Sequence, residues 1–190
     1  MSKKIIILLV IILIGFPSVH PLKAKTLKGI TMEDSIEING EKLVLNGMAL
    51  RKKVIFKVYV AGLYLPQKEQ DAEKILTGNT TRHIIMHFMR SVSKSKLNGA
   101  WFDGLESNTP KHSPELKKQF DTLASLMEGV KKGDRIIFTY TPDKGTDVNV
   151  KNNLKGTIAG KEFADALFAC WIGPKPGPGK GFKEDILGIE

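Results

Sequence analysis

The sequence predicts an α+β fold, an antiparallel β-sheet with helices packed on it. Three observations lead there. Two alternating runs, Ser35-Ile36-Glu37-Ile38 and Lys42-Leu43-Val44-Leu45, flank Asn39-Gly40. Asn-Gly in that setting is the strongest short hairpin signal, because a type I′ turn needs positive φ at both positions. Residues 135–158 alternate in three short runs, broken by Pro142-Asp143-Lys144-Gly145 and by Asn152-Asn153, which is the pattern of a meander. Helical periodicity is confined to blocks of its own, and strands and helices that segregate along the chain argue for α+β.

A chain of 190 residues suits one domain with a core of its own. The N-terminus carries Lys3-Lys4, a twelve-residue aliphatic run over 5–16, then Pro17 and a short polar stretch ending near Ala24. That run is too short to span a bilayer and has the length of a signal-peptide core. The expected organisation is therefore a signal peptide over 1–24 and one domain over 25–190. The expected location is exported, in the periplasm. Leu22 occupies a position where cleavage prefers a small residue, so an uncleaved N-terminal anchor is the alternative. Cys170 is the single cysteine, which rules out an intrachain disulfide. Of the net charge of +9, Lys3, Lys4 and Lys23 account for three with no acid among them, leaving +6 from Lys25 onward. No basic stripe interleaved with stacking aromatics is visible, so no nucleic-acid partner is expected. Peripheral contact with a membrane stays open, as does oligomeric state.

After the first hairpin, residues 45–65, LNGMALRKKVIFKVYVAGLYL, read as a turn followed by a long strand. From Val54 the alternation places Phe56, Val58, Val60 and Tyr64 on one face, and Ile55, Lys57, Tyr59, Ala61, Leu63 and Leu65 on the other. With both faces largely apolar, this strand is expected at the centre of the sheet, covered on each side. Gly62 marks a bulge or a close approach to the backbone. Arg51 stands at the strand's entrance, facing a mostly apolar wall.

A short helix over 71–76 closes at Gly78, and 82–90, RHIIMHFMR, reads as a strand. His83 and His87 would share one ion on a helix, but on a strand their Cα atoms stand about 13 Å apart, so no metal site is expected. They are read as two histidines on a partly exposed face. Residues 93–108 are helical, with Leu97, Trp101 and Leu105 on one face and Asn108 at the end. Ser113-Pro114 opens the next helix, with Leu116, Phe120, Leu123 and Met127 as its buried stripe and Gly129 closing it. After the meander, 161–172 is apolar all round and is expected to be deeply buried. GPKPGPGKG over 173–181 imitates a phosphate loop but lacks its glycine spacing. Its prolines also remove N–H donors, and it follows a helix rather than a strand, so it reads as a surface loop.

NGMALRKK followed by FKVYVAGLYL resembles the opening of the chalcone isomerase fold, an open-faced β-sandwich in which an arginine-bearing turn leads into a strand ending Gly-(Val/Leu)-Tyr-Leu. The likeness is greatest to the bacterial, exported chalcone-isomerase-like branch and runs from about Ile36 to the C-terminus. It implies a site. Arg51 matches the arginine that polarises the substrate in the enzymes. Tyr59 falls where they carry a catalytic threonine and Trp101 where they carry the catalytic tyrosine. Asn108 matches their asparagine, and Cys170 matches a threonine or serine, with Trp171 beside it. An indole has one N–H donor and no acceptor, so Trp101 does not replace the lost phenol.

Arg51 with Tyr59 resembles the pairing that holds a carboxylate in the fatty-acid-binding branch of the fold. The leading expectation is thus a non-catalytic exported protein binding a small apolar acid or lipid, such as a fatty acid, with no cofactor. Arg51, Tyr59, Trp101, Asn108, Cys170 and Trp171 line the site in that reading. Two alternatives stand beside it. One is an intramolecular lyase or isomerase acting on an unsaturated ketone, with Arg51 as electrophile and Asn108 orienting the substrate. The other is a structural or interaction protein whose pocket is closed by Trp101 and Trp171.

Overall fold

A computed structural model describes residues 23–189. The apolar run at 5–16 lies outside them. Seven antiparallel strands form one sheet in chain order: β3 (Ser35–Ile38), β4 (Glu41–Lys53), β5 (Phe56–Leu65), β6 (Arg82–Phe88), β7 (Arg135–Thr141), β8 (Gly145–Val150) and β9 (Asn153–Ile158). A separate two-stranded ribbon, β1 (Ala24–Leu27) and β2 (Ile30–Glu33), precedes it. The helices are α1 (Ala72–Thr77), α2 (Lys94–Asn108), α3 (Pro114–Leu126), α4 (Lys161–Ile172) and α5 (Lys180–Leu187). This is the α+β architecture read from the sequence.

Local chemistry explains most boundaries. Asn39 and Gly40 take φ of 52° and 80° and close the β3–β4 hairpin. Asp71, Ser93 and Ser113 cap α1, α2 and α3 with side-chain acceptors for the first free N–H groups. Pro114 stands in the first turn of α3, where no amide donor is needed. Met127 is buried as expected, although α3 ends one residue before it.

The sheet separates two hydrophobic clusters. On one face Ala61, Leu63, Ile84, Met86, Ile136, Phe138 and Val148 pack against the helices, with α4 innermost: Phe163, Leu167, Phe168, Trp171 and Ile172 are all buried. On the other face Met32 of the ribbon covers Leu45, Met48, Val60 and Tyr64. Strand β5 is thus covered on both sides. Gly62 is the point of closest approach, since a Cβ there would collide with the Met32 sulfur.

The structure corrects the sequence reading in five places. Residues 46–53, read as a turn, continue β4, and the turn lies at Val54-Ile55 instead. Asn46-Gly47 is a bulge within β4 rather than part of a turn. Gly47 lets the α5 backbone approach at Asp185 and Ile186, and Asn46 donates to the Glu69 carbonyl and accepts from the Glu69 amide. The polar lead before Ser35 forms the β1–β2 ribbon, whose short strands leave little periodicity to read. Helix α5 follows the proline-rich loop; its apolar residues Phe182, Ile186 and Leu187 are too few and its glycines too near to stand out. Finally, His83 is buried rather than partly exposed, with Nδ1 2.8 Å from Thr139 Oγ1 and its ring edge-on to Tyr64.

Burial lowers the His83 pKa to about 4. The unfolded chain binds this proton near pH 6.5 and the folded protein does not until about pH 4. Stability is therefore expected to fall as pH drops through that window, by about 3 kcal/mol from this residue alone. In urea titrations across pH 4–7, His83→Gln should flatten this part of the profile. An unchanged slope would assign the loss to other groups.

Candidate functional site

The β4–β5 hairpin pairs Arg51 with Tyr59 directly across the strands. Cross-strand partners rise from the same face, here the one covered by helices. Arg51 is half-buried, and its Nη1 donates to the Pro178 carbonyl at 2.8 Å. Among the described residues its other N–H groups have no acceptor. Tyr59 is buried, with Phe88 5.5 Å away and Phe182 edge-on at 6.0 Å between ring centroids. Its hydroxyl accepts a hydrogen bond from Trp171 Nε1 at 3.1 Å. Burial raises the phenol's pKa well above its ordinary value, outweighing the lowering by the Trp171 bond and by the Arg51 charge. Tyr59 therefore keeps its proton at neutral pH. With one lone pair already occupied, its O–H remains to be donated.

Behind this pair stands an aromatic wall. Trp171 packs against Trp101 at 5.4 Å, Phe138 at 5.9 Å and Phe168 at 6.2 Å between centroids, and Trp101 meets Phe138 edge-on at 5.6 Å. The Trp101 indole N–H is buried with no partner among the described residues. So Arg51, Tyr59, Trp171 and Trp101 form a continuous series from a half-exposed cation into the core.

The other two sequence candidates serve the seam between α2 and α4. Asn108 donates from Nδ2 to the carbonyls of Gly104 and Lys175, both at 3.0 Å, and accepts the Lys175 amide at 2.9 Å. Its amide is committed to holding the loop over 173–179. Cys170 packs against Gly104, where a Cβ on α2 would collide with the sulfur, and its S–H points at the Ala166 carbonyl, 3.6 Å away. Burial pushes the thiol up to about 12, so it is an inert packing group at neutral pH.

A recess of about 440 Å³ adjoins the Arg51–Tyr59 pair. Leu27 and Lys28 of the ribbon, Leu50, Lys52, Pro178, Lys180, Phe182 and Asp185 line most of it, whereas Arg51 and Tyr59 do not. Pro178 and Phe182 are the residues that touch Arg51 and Tyr59, so the recess and the anchor pair share a wall. It is open to solvent rather than an enclosed cavity. The lysines outnumber Asp185, which favours an anion.

Sequence reasoning passed over Arg82. It is fully buried, stacked on Tyr140 at 4.7 Å and Phe168 at 5.2 Å, and donates to Asp165 at 2.7 Å. Asp165 also receives Lys161 at 2.6 Å. The group ties α4 to β6. Its only trace in the sequence is an arginine opening an apolar strand, with the partner far along the chain. Among the described residues no group of three His, Cys, Asp or Glu side chains stands close enough to hold a metal ion.

The frame of the site is a helix-covered antiparallel sheet that carries an arginine–tyrosine pair on its β4–β5 hairpin. The chain belongs to the chalcone isomerase-like family, whose model matches residues 24–188. The structure is similar to that of a fatty-acid binding protein from Arabidopsis thaliana, with a TM-score of 0.69 over 87% of this chain and 96% of the relative. Sequence identity is 14%, so the likeness is one of fold. No curated protein matches the sequence.

Trp171→Phe removes the indole donor to Tyr59 while keeping most of the packing. It is expected to cost about 1–2 kcal/mol in denaturant titration, and a loss under about 0.3 kcal/mol would mean the bond is not made. Cys170 should resist alkylation in the native protein and react on unfolding.

Proposed function

We propose that the protein is an exported, non-catalytic carrier or sensor of a small apolar carboxylic acid, such as a fatty acid, anchored by Arg51 and Tyr59. The observation that carries this reading is the cross-strand pair itself: uncommitted guanidinium donors facing a phenol held protonated, with its O–H free to donate. A fork of charged N–H groups and one hydroxyl donor complement a carboxylate. The recess bounded by Pro178 and Phe182 lies next to the anchor, and the tail would reach it past the Phe182 ring. The family, and a structural relative whose name records fatty-acid binding, support the same ligand class. Export rests on the N-terminal lysine pair and aliphatic run.

The isomerase alternative needs Asn108 to orient a substrate, whereas both ends of its amide are occupied by backbone. It also needs donors aimed at charge developing in the transition state, and the indole of Trp101 lies behind Trp171 rather than beside Arg51. The closed-pocket alternative draws on one observation, the indoles that fill the space behind Tyr59.

Native mass spectrometry of protein purified from its own host, with organic extraction of any bound lipid, tests the proposal. A bound acid is expected. Arg51→Ala should weaken acid binding about 10- to 100-fold, the effect of losing a charge-assisted bond, and Tyr59→Phe about fivefold. Protein that carries no acid, with neither substitution changing acid binding, would overturn the reading in favour of the closed pocket.

A further inference from the structure

The tip of the β4–β5 hairpin is apolar where nothing covers it. Val54, Ile55 and Phe56 are 87%, 81% and 53% exposed. The tip also projects. Pairing between β5 and β6 ends at Tyr59–Phe88, with a last bond from the Met89 amide to the Val58 carbonyl, and β3 leaves β4 at Val44. Residues 52–57 therefore extend two cross-strand pairs beyond the sheet.

Neither packing nor backbone preference accounts for Val54 and Ile55, and Phe56 is only partly covered, by Arg90. Val54 holds φ at +56°, in the left-handed region that a β-branched side chain strongly disfavours. Glycine or asparagine would suit both the turn and the solvent. Strain in an exposed apolar turn points to a role for the side chains themselves.

The charge around the tip identifies what those side chains meet. Lys52 and Lys53 precede them and Lys57 follows, all exposed. Arg90 lies over the Phe56 ring at 4.5 Å. The turn before β7 reaches this same end of the sheet, because His87 pairs with Arg135, and it brings exposed Lys131 and Lys132. The acids of the adjoining turns are already engaged: Asp134 accepts the Lys131 amide, and Glu128 is shared by Lys151 and Lys155. Leu154, near the start of β9 at this same end of the sheet, adds an apolar side chain that is 61% exposed.

We propose that this end of the sheet docks on anionic phospholipid bilayers, with Val54, Ile55 and Phe56 entering the headgroup–acyl boundary. The surrounding lysines and Arg90 extend their aliphatic stems and hold the charged heads at the phosphates. Each basic side chain near such a surface adds about fivefold to the partition coefficient. A soluble polyanion would complement the charges but leaves the three apolar side chains without a partner, so the bilayer accounts for more of what is seen. The inference stands apart from acid binding, since it uses the tip and not the Arg51–Tyr59 pair.

The test places a polarity-sensitive probe on Ile55→Cys in the full chain and adds vesicles of phosphatidylcholine, with or without phosphatidylglycerol. Cys170 is buried and does not compete for the label. Thr80→Cys, exposed before β6 at the opposite end of the sheet, is the control, and the N-terminal residues also join the described chain at that far end through Lys23 and Asp34. The probe at 55 should blue-shift with phosphatidylglycerol vesicles, less so at raised salt, and the probe at 80 should not.

In co-sedimentation with the chain beginning at Lys23, which holds both hydrophobic clusters, Val54→Gly with Ile55→Asn should lower vesicle binding at least tenfold. Thermal stability should be equal or higher, because the strained turn is relieved. An unshifted probe at 55, equal shifts at both sites, or vesicle binding unchanged by the double substitution would each overturn the proposal. A shift at 55 with DNA or heparin but not with vesicles would reassign the surface to soluble polyanions.

Discussion

The hydrogen bond from Trp171 to Tyr59 joins the most buried helix to the β4–β5 hairpin, and much else follows from it. Both partners are buried, and leaving either unsatisfied costs about 1–3 kcal/mol, so the bond fixes the height of α4 over β5. Arg82 and Asp165 make a second tie, from β6 to the same helix. Between these two polar points α4 meets the sheet mainly through apolar side chains. Hydrophobic burial supplies the attraction, and the two ties select one register.

That register sets the chemistry of the site. With its hydroxyl oxygen receiving the indole N–H, Tyr59 presents a proton rather than a lone pair. Arg51 across the hairpin presents the charge. The Pro178 carbonyl holds the guanidinium on one side, and Asn108 holds the loop that carries Pro178. Asn108 thus bears on the site through the loop, although it does not face Arg51. A half-buried guanidinium paired with a phenol held protonated, with lysines around the neighbouring recess, suits binding of an anion.

The sequence made some of this legible and hid the rest for physical reasons. Helices α2 and α3 announced themselves through periodic apolar residues, α3 also through Ser113-Pro114, α4 through apolar residues all round, and the Asn39-Gly40 hairpin through positive-φ residue types. The two clusters of β5 followed from its apolar faces. The stretch from Leu45, with Asn46-Gly47, looked like a turn because a bulge that admits a helix backbone uses the same residue types. The actual turn at Val54-Ile55 looked like strand, since β-branched residues normally avoid such backbone. Of the six candidates drawn from family resemblance, Arg51, Tyr59, Trp101 and Trp171 form one series, while Asn108 and Cys170 serve helix and loop packing. Arg82 stayed hidden because its partner is remote in sequence and a buried ion pair has no periodicity.

The account turns on Arg51 and Tyr59 gripping one carboxylate together. A double-mutant cycle measures this most directly: dodecanoate affinity by calorimetry for the parent, Arg51→Ala, Tyr59→Phe and the double variant. Groups that hold the same ligand atoms should show a coupling of about 1 kcal/mol or more. Effects additive to within about 0.3–0.5 kcal/mol, or a parent that does not bind the acid, would contradict the claim.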